Sequence, residues 1–201
     1  ARFIQTGREL FEHPDQDRRF YEEDVFYADS SVFDMFTFEF IAGNAQQALT
    51  APNSMVLTQT LATKYFNKED AIGQSLQNRD NVYKITGVIK DVPKNSHLTF
   101  DGLISRSTLD NELGSWGSWG VPTYLLLNDE VDYKQFESSF DNKLNENYIK
   151  PIFDQFGVTI HYELQPLESI HLYSNLAGET EGGGDISYIY IFAIVAFFML
   201  L

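Results

Sequence analysis

The spacing of apolar positions changes along the chain from every second residue to every third or fourth, and these changes predict its elements. Val25 and Tyr27 read as a strand, residues 30–35 as a short turn or helix, and Phe36, Phe38 and Phe40 alternate as a second strand closed by Gly43 and Asn44. A second unit opens with the short apolar run Met55-Val56-Leu57, with Thr58 behind it as a helix N-cap; Leu61, Ala62, Tyr65 and Phe66 then recur at helical spacing, and residues 67–70 end that helix. Ile72-Gly73 turns the chain into a short strand near Ser75-Leu76, residues 78–81 make a polar hairpin tip, and a strand over 82–90 runs until Pro93 breaks it. Phe100, Leu103 and Ile104 predict another strand. Residues 114–120, all glycine, serine and tryptophan, read as a linker, and 123–127 as a strong strand. Asp132 caps a helix whose stripe of Phe136, Phe140, Leu144 and Tyr148 is closed by Pro151, and 158–164 alternate as a half-buried strand. Strands interspersed with two good helices predict an α+β fold in two lobes.

The last block has a different pattern. Residues 186–201 carry no charge, and Ile189, Phe192, Ala193, Val195, Ala196, Phe197, Phe198 and Met199 cover every face of a helix, leaving no polar stripe for water. A transmembrane helix needs roughly 20 such residues. The pattern therefore predicts the start of a transmembrane helix cut short by the end of the sequence, with Tyr188 and Tyr190 at the headgroup level and the acidic, glycine-rich residues 178–185 on the water side.

Charge narrows the partners. With 201 residues, 43% of them hydrophobic, the chain can bury a substantial core, but its formal charge of −15 opposes phosphate backbones and anionic lipid surfaces, which argues against nucleic-acid binding and equally against soluble acidic partners. Cysteine is absent, so the fold rests on packing without disulfides or thiolate sites. No secretory signal is visible near Ala1; an extracytoplasmic location would require an upstream membrane segment.

Candidate chemistry is sparse. There is no phosphate-cradling glycine motif, and neither serine of the 114–120 stretch is the centre of a nucleophile elbow. His13, His97, His161 and His171 lack the short spacings of a zinc site, and Asp15-x-Asp17 runs into Arg18-Arg19 instead of further oxygen ligands. Carboxylate pairs abound, but linear spacing selects none as a general acid and base. No catalytic, cofactor-binding or metal-binding residue is assigned, and no cofactor is expected.

A family resemblance is more specific than any of these motifs. Residues 27–38 (YADSSVFDMFTF), 49–57, then Leu61-Ala62-Thr63-Lys64-Tyr65-Phe66 followed by Asp70-Ala71-Ile72-Gly73-Gln74-Ser75-Leu76, and residues 83–97 (YKITGVIKDVPKNSH) resemble the MacB-like periplasmic core domain of FtsX-type ABC transporter permeases, in the form typical of Bacteroidetes. The resemblance runs in register from about Phe20 to Leu127, and the terminal apolar run falls where the family's second transmembrane helix begins. It implies a porter-like lobe formed by residues 1–50 and 114–185, an inserted Sabre-like lobe of residues 51–113, and the start of a transmembrane helix at 186–201. It also implies a non-enzymatic domain on the periplasmic side of the bacterial inner membrane, transmitting ATP-driven conformational change to cargo or an adaptor during export. The implied partners are a cytoplasmic ABC ATPase, a second permease half from a homodimer or internal repeat, and a periplasmic adaptor or outer-membrane protein. The alternative is a membrane-tethered sensor or ligand-binding module acting on a periplasmic partner, with Trp116 and Trp119 as a stacking platform. Glycines are read here as folding requirements: Gly73 for a turn and Gly87 for close packing or a bulge.

Overall fold

Alternation of side chains between two apolar clusters builds a single nine-stranded sheet. Its strands are β1 (Phe3–Gln5), β2 (Glu9–Glu12), β3 (Arg19–Glu22), β4 (Val25–Ala28), β5 (Phe40–Gly43), β6 (Ser54–Thr58), β7 (Ser75–Asn78), β8 (Asn81–Ile89) and β9 (Gly102–Ser105). The computed structural model describes residues 1–67, 71–79, 81–109, 120–170 and 186–200, and the chain divides into two compact units, Ala1–Leu126 and Leu127–Leu201. The sheet lies in the first unit. The second unit holds helices and irregular chain.

The ladder runs β1-β4-β9-β6-β8-β7-β2-β3, with β5 paired to the far half of β8. β4 pairs parallel to β9 and β6 parallel to β8; the remaining pairs are antiparallel. Strands from both sides of Thr50 share this sheet, since β9 binds β4 and β8 binds β5. The order forces strong curvature. Gln5 and Glu9 end and begin strands six ladder positions apart, which in a flat sheet is about 29 Å at the usual strand spacing, whereas so few residues of extended chain span at most about 14 Å. The sheet therefore curls on itself. Tyr27 on β4 accordingly reaches across to Tyr83 on β8, hydroxyl to hydroxyl at 3.2 Å, past the two strands between them.

Helix α2 (Gln59–Phe66) packs Leu61, Ala62, Tyr65 and Phe66 into the inner cluster with Phe11, Val25, Met55, Leu57, Leu76, Tyr83, Ile85, Val88 and Ile104. Its start is as expected, with the Thr58 side chain accepting from Leu61 N at 3.3 Å, and Asn67 ends it in the left-handed conformation. The rest of the expected 67–70 stop, the hairpin-tip residue Asp80, and all of the 114–120 linker except Gly120 lie outside the described residues. The outer cluster covers β1, β4, β9 and β6 with Phe3, Phe26, Ala28, Val56 and Leu103, roofed by Val32 of the one-turn helix α1 (Val32–Met35) and by Leu98 and Phe100. Here the sequence reading needs correction: Phe36 and Phe38 are not strand residues, and β5 begins only at Phe40. Their alternation arises because an irregular segment lies over the sheet and packs Phe36 and Phe38 edge-on or tilted against Phe33, Phe100 and each other.

A second correction concerns residues 123–127, which form one isolated bridge, Arg2↔Thr123, instead of a strand. Pro122 has no amide to donate, and Leu125 and Leu126 face solvent. In the second unit, α3 (Tyr133–Leu144) is capped by Asp132 as expected, its side chain accepting from the amides of Lys134 and Gln135. Pro151 does not close it. A π-helical turn over Asn145–Ile149 leads directly into α4 (Lys150–Phe153), where Pro151 occupies the tolerant first turn. The extra residue of the π turn rotates the apolar stripe, so Ile149 is buried and Tyr148 exposed. Residues 158–164 are extended without being a strand, because their amides bond to α3 side chains: Tyr162 N donates to Asp141 Oδ1 at 2.8 Å and Leu164 N to Glu137 Oε2. Helix α5 (Ile186–Leu200) exposes Phe192, Phe197, Phe198, Met199 and Leu200. Among the described residues, no helix is long and apolar enough to cross a membrane.

Gly87 is both a bulge and a close contact. Pairing shifts between Met55↔Ile85 and Val56↔Gly87, so Ile85 and Val88 both point into the inner cluster while Ile89 joins the outer one. A Cβ at Gly87 would lie 2.8 Å from Phe40 Cε1 and 3.1 Å from Val56 Cγ2. Gly43 opposite, at φ +89°, leaves no room for a Cβ against the Thr86 carbonyl. Gly87→Val is expected to destabilise the first unit by about 1–3 kcal/mol through overpacking, read as a lower urea midpoint at unchanged slope; an unaltered midpoint refutes the contact's importance.

Candidate functional site

The polar groups that the sequence offered for chemistry are occupied in holding elements together. His13 is buried: its Nδ1 accepts from the Asp15 amide at 3.1 Å, its Nε2 faces Gln74 Oε1 at 3.4 Å, and its ring meets the edge of Phe66. Asp17 pairs with Arg19 at 3.5 Å on the surface. His97 sits against Phe36 and Tyr124, where burial lowers its pKa, and its Nε2 has no hydrogen-bond partner among the described residues. His161 lies 3.0 Å from Asp141 in the second unit. These histidines stand in different surroundings, and His171, like Trp116 and Trp119, lies outside the described residues. Among the described residues, no group of three His, Asp or Glu side chains could hold a metal ion.

One cluster has the makings of acid–base chemistry and was missed in the sequence. Glu22 of β3, 5% exposed, accepts from Tyr65 Oη at 2.7 Å and from Lys64 Nζ at 2.8 Å. Burial and the adjacent carboxylate push the Tyr65 hydroxyl well above its ordinary pKa. Tyr65 is wholly buried, so no substrate reaches that hydroxyl; the cluster ties β3 to α2 and satisfies a buried carboxylate. Nearby, burial followed by the charges of Asp24 and Glu22 raises the Asp101 pKa.

The arrangement with a functional geometry is mechanical. The chain's incoming and outgoing segments in the first unit meet at the β1 edge: Tyr124 N donates to Ala1 O at 2.7 Å, Phe3 N donates to Pro122 O at 3.0 Å, and Arg2 bridges Thr123. Aromatic contacts lock this clasp to the outer cluster, with Tyr124 edge-on to Phe3 at 5.6 Å and to Phe36 at 5.3 Å. Charge fixes it to β4, because Arg2 donates to both carboxylate oxygens of Asp29 at 2.8 and 2.9 Å, and Arg106 approaches at 3.9 Å. Burial works to raise the Asp29 pKa, but the bonds and charge of Arg2 outweigh it and hold the carboxyl below its ordinary value. Sequence reasoning gave no partner for Asp29, since Arg2 sits in a stretch with no pattern.

A family model described as MacB-like periplasmic core domain matches residues 6–143. The chain is similar in structure to a domain described as part of a permease protein from Porphyromonas gingivalis, with TM-score 0.62 and 22% identity over 74% of this chain and 70% of that one. It is also similar to the periplasmic region of MacB from Actinobacillus actinomycetemcomitans, with TM-score 0.52 and 14% identity over 80% of this chain and 77% of that one. At such identities the likeness speaks for the fold. No curated protein matches the sequence.

Because the folded pKa of Asp29 lies below the unfolded one, its stabilisation is complete above about pH 4 and is lost as pH falls through the folded value. The pair is partly solvated, so Asp29→Asn is expected to cost only about 1 kcal/mol at neutral pH. Urea midpoints measured from neutral to strongly acidic pH check this: the two proteins should differ at pH 7 and converge in acid, and a gap that stays constant with pH contradicts the assignment.

Proposed function

Because this chain belongs to the MacB-like periplasmic core domain family of ABC transporter permeases, we propose that it is a non-catalytic periplasmic body that transmits ATP-driven motion to an exported cargo or an adaptor. The observation that carries this reading is the clasp. A segment leading to the membrane that is bonded directly to its returning partner and to the sheet displaces the sheet as a body instead of stretching a loop. ATP hydrolysis belongs, on this reading, to a separate cytoplasmic nucleotide-binding subunit or domain, and a second permease half supplies the opposing body. Helix α5, apolar on all faces and exposed along its length, is assigned to the membrane and enters it from the periplasmic side.

The test uses the full permease with its ATPase in lipid. Spin labels on the first unit of each permease half should change separation between the nucleotide-free and vanadate-trapped states, and loosening the clasp with Phe3→Ala should reduce that change while basal ATP hydrolysis persists. No nucleotide-dependent change in separation would sink the proposal. The tethered-sensor alternative makes the opposite forecast: the domain stays in place when nucleotide binds and moves when a periplasmic ligand does. For α5, a cysteine introduced at Tyr188 should react with a membrane-impermeant thiol reagent from the periplasm; reaction from the cytoplasm alone reverses the orientation.

A further inference from the structure

The outer apolar cluster stops short of one end of the sheet. No residue of β2, β3 or β7 belongs to it. The side chains that point outward there are exposed, as Tyr21 from β3 and Val82 and Lys84 from the near half of β8, or half-buried, as Leu10 and Glu12 from β2 and Gln77 from β7, the last donating to Glu12 at 3.4 Å. Their registers place them together, because Leu10 pairs with Tyr21, Glu12 with Gln77, and Gln77 with Val82. Arg8, Leu10, Glu12, Tyr21, Gln77 and Arg79 line a concavity of about 230 Å³ on this face.

Its charge runs against that of the molecule. In a chain with a formal charge of −15, the bases Arg8, Arg79 and Lys84 on this face outnumber its carboxylates Glu12 and Glu23. Arg8 lies over the Tyr21 ring at 4.6 Å and reaches Glu23 at 3.4 Å, in a pair whose side chains are each about two-thirds exposed. Such a pair contributes little and is readily exchanged for another carboxylate. No described residue pairs with the side chain of Arg79 or Lys84. Tyr21 and Val82, 58% and 56% exposed, add apolar surface between the bases. Guanidinium groups flanking an aromatic ring favour planar carboxylates, which they bind through paired hydrogen bonds.

We propose that this open sheet face docks an extended acidic segment of a partner polypeptide, with its carboxylates on Arg8 and Arg79 and its apolar side chains on Leu10, Tyr21 and Val82. The overall negative charge does not forbid it, because at physiological ionic strength charges beyond about 8 Å are largely screened and the segment senses the local bases. A membrane surface fits less well, since a lipid sheet would meet the acidic body along with the patch. This proposal stands whether or not the domain transmits motion.

The probe is a fluorescein-labelled peptide, Glu-Phe-Glu-Val-Glu, titrated with the full chain in non-ionic detergent at physiological salt and followed by anisotropy. Saturable binding is expected, with R8E/R79E weakening it by about tenfold or more and R8K/R79K weakening it less. Circular dichroism and urea midpoints of the variants establish that both remain folded, as exposed positions should. Absence of binding, or binding indifferent to R8E/R79E, overturns the proposal. Displacement of the peptide by soluble short-chain phosphatidylglycerol or by free glutamate at equal concentration also overturns it, in favour of a headgroup or lone-anion site. A dimer in sedimentation that R8E/R79E dissolves would assign the face to a second copy of this chain and exclude the peptide.

Discussion

The contact of Phe40 and Val56 with the bare Cα of Gly87 is the constraint around which the sheet is organised. β8 is the longest strand and must serve two masters: its first half faces the inner cluster through Tyr83 and Ile85, and its second half continues that service through Val88 while giving Ile89 to the outer cluster. Strict alternation cannot do this. The bulge at Thr86 resets the phase, and Gly87 lets the strand pass beneath Phe40. With that phase set, β6 can lie parallel on one side of β8 while β5 and β7 share the other side along different halves. The inner cluster then closes around α2.

Much of this was legible in the sequence wherever a segment carried its own signal. The cap at Thr58 and the helical spacing through Phe66 agree on one helix, and that helix is present. The glycine at 87 stood out because it interrupts β-branched neighbours. The strands β1, β2 and β3 were illegible: each is three or four residues long, and charged residues break any alternation in Glu9–Glu12 and Arg19–Glu22. Only partners distant in sequence make them strands. The opposite failure occurred at Phe36 and Phe38 and at residues 158–164, where alternation was real but no strand stood alongside. There the amides and rings found side chains instead, a choice fixed by tertiary packing.

The polar groups tell the same story from the side of function. Residue types that suggest catalysis in a sequence, such as Glu22 beside Tyr65, or Asp29 among basic side chains, occur here at joints between elements, where they neutralise buried charge or pin a chain segment. The clasp at Ala1, Arg2 and Phe3 could not be read in advance, because its two halves come from the two ends of the first unit and neither has a pattern of its own. What the sequence did carry was the family signature, and the close packing and bulge read at its Gly87 are what the sheet exhibits.

The position of β9 has a kinetic meaning. It is the last strand among the described residues, yet it occupies the middle of the ladder, between β4 and β6, so Val25 meets Gly102 and Leu57 meets the same glycine from the other side. Until residues 102–105 have arrived, the β1–β4 pair and the β6–β8 group have no backbone ladder between them. A chain emerging from one end through a translocation channel would hold two unfinished half-sheets with open edges, vulnerable to proteases and to pairing with other chains, until its final strand slots in. Closure of the described ladder is thus a single late event, after which the 122–124 segment can fasten to β1.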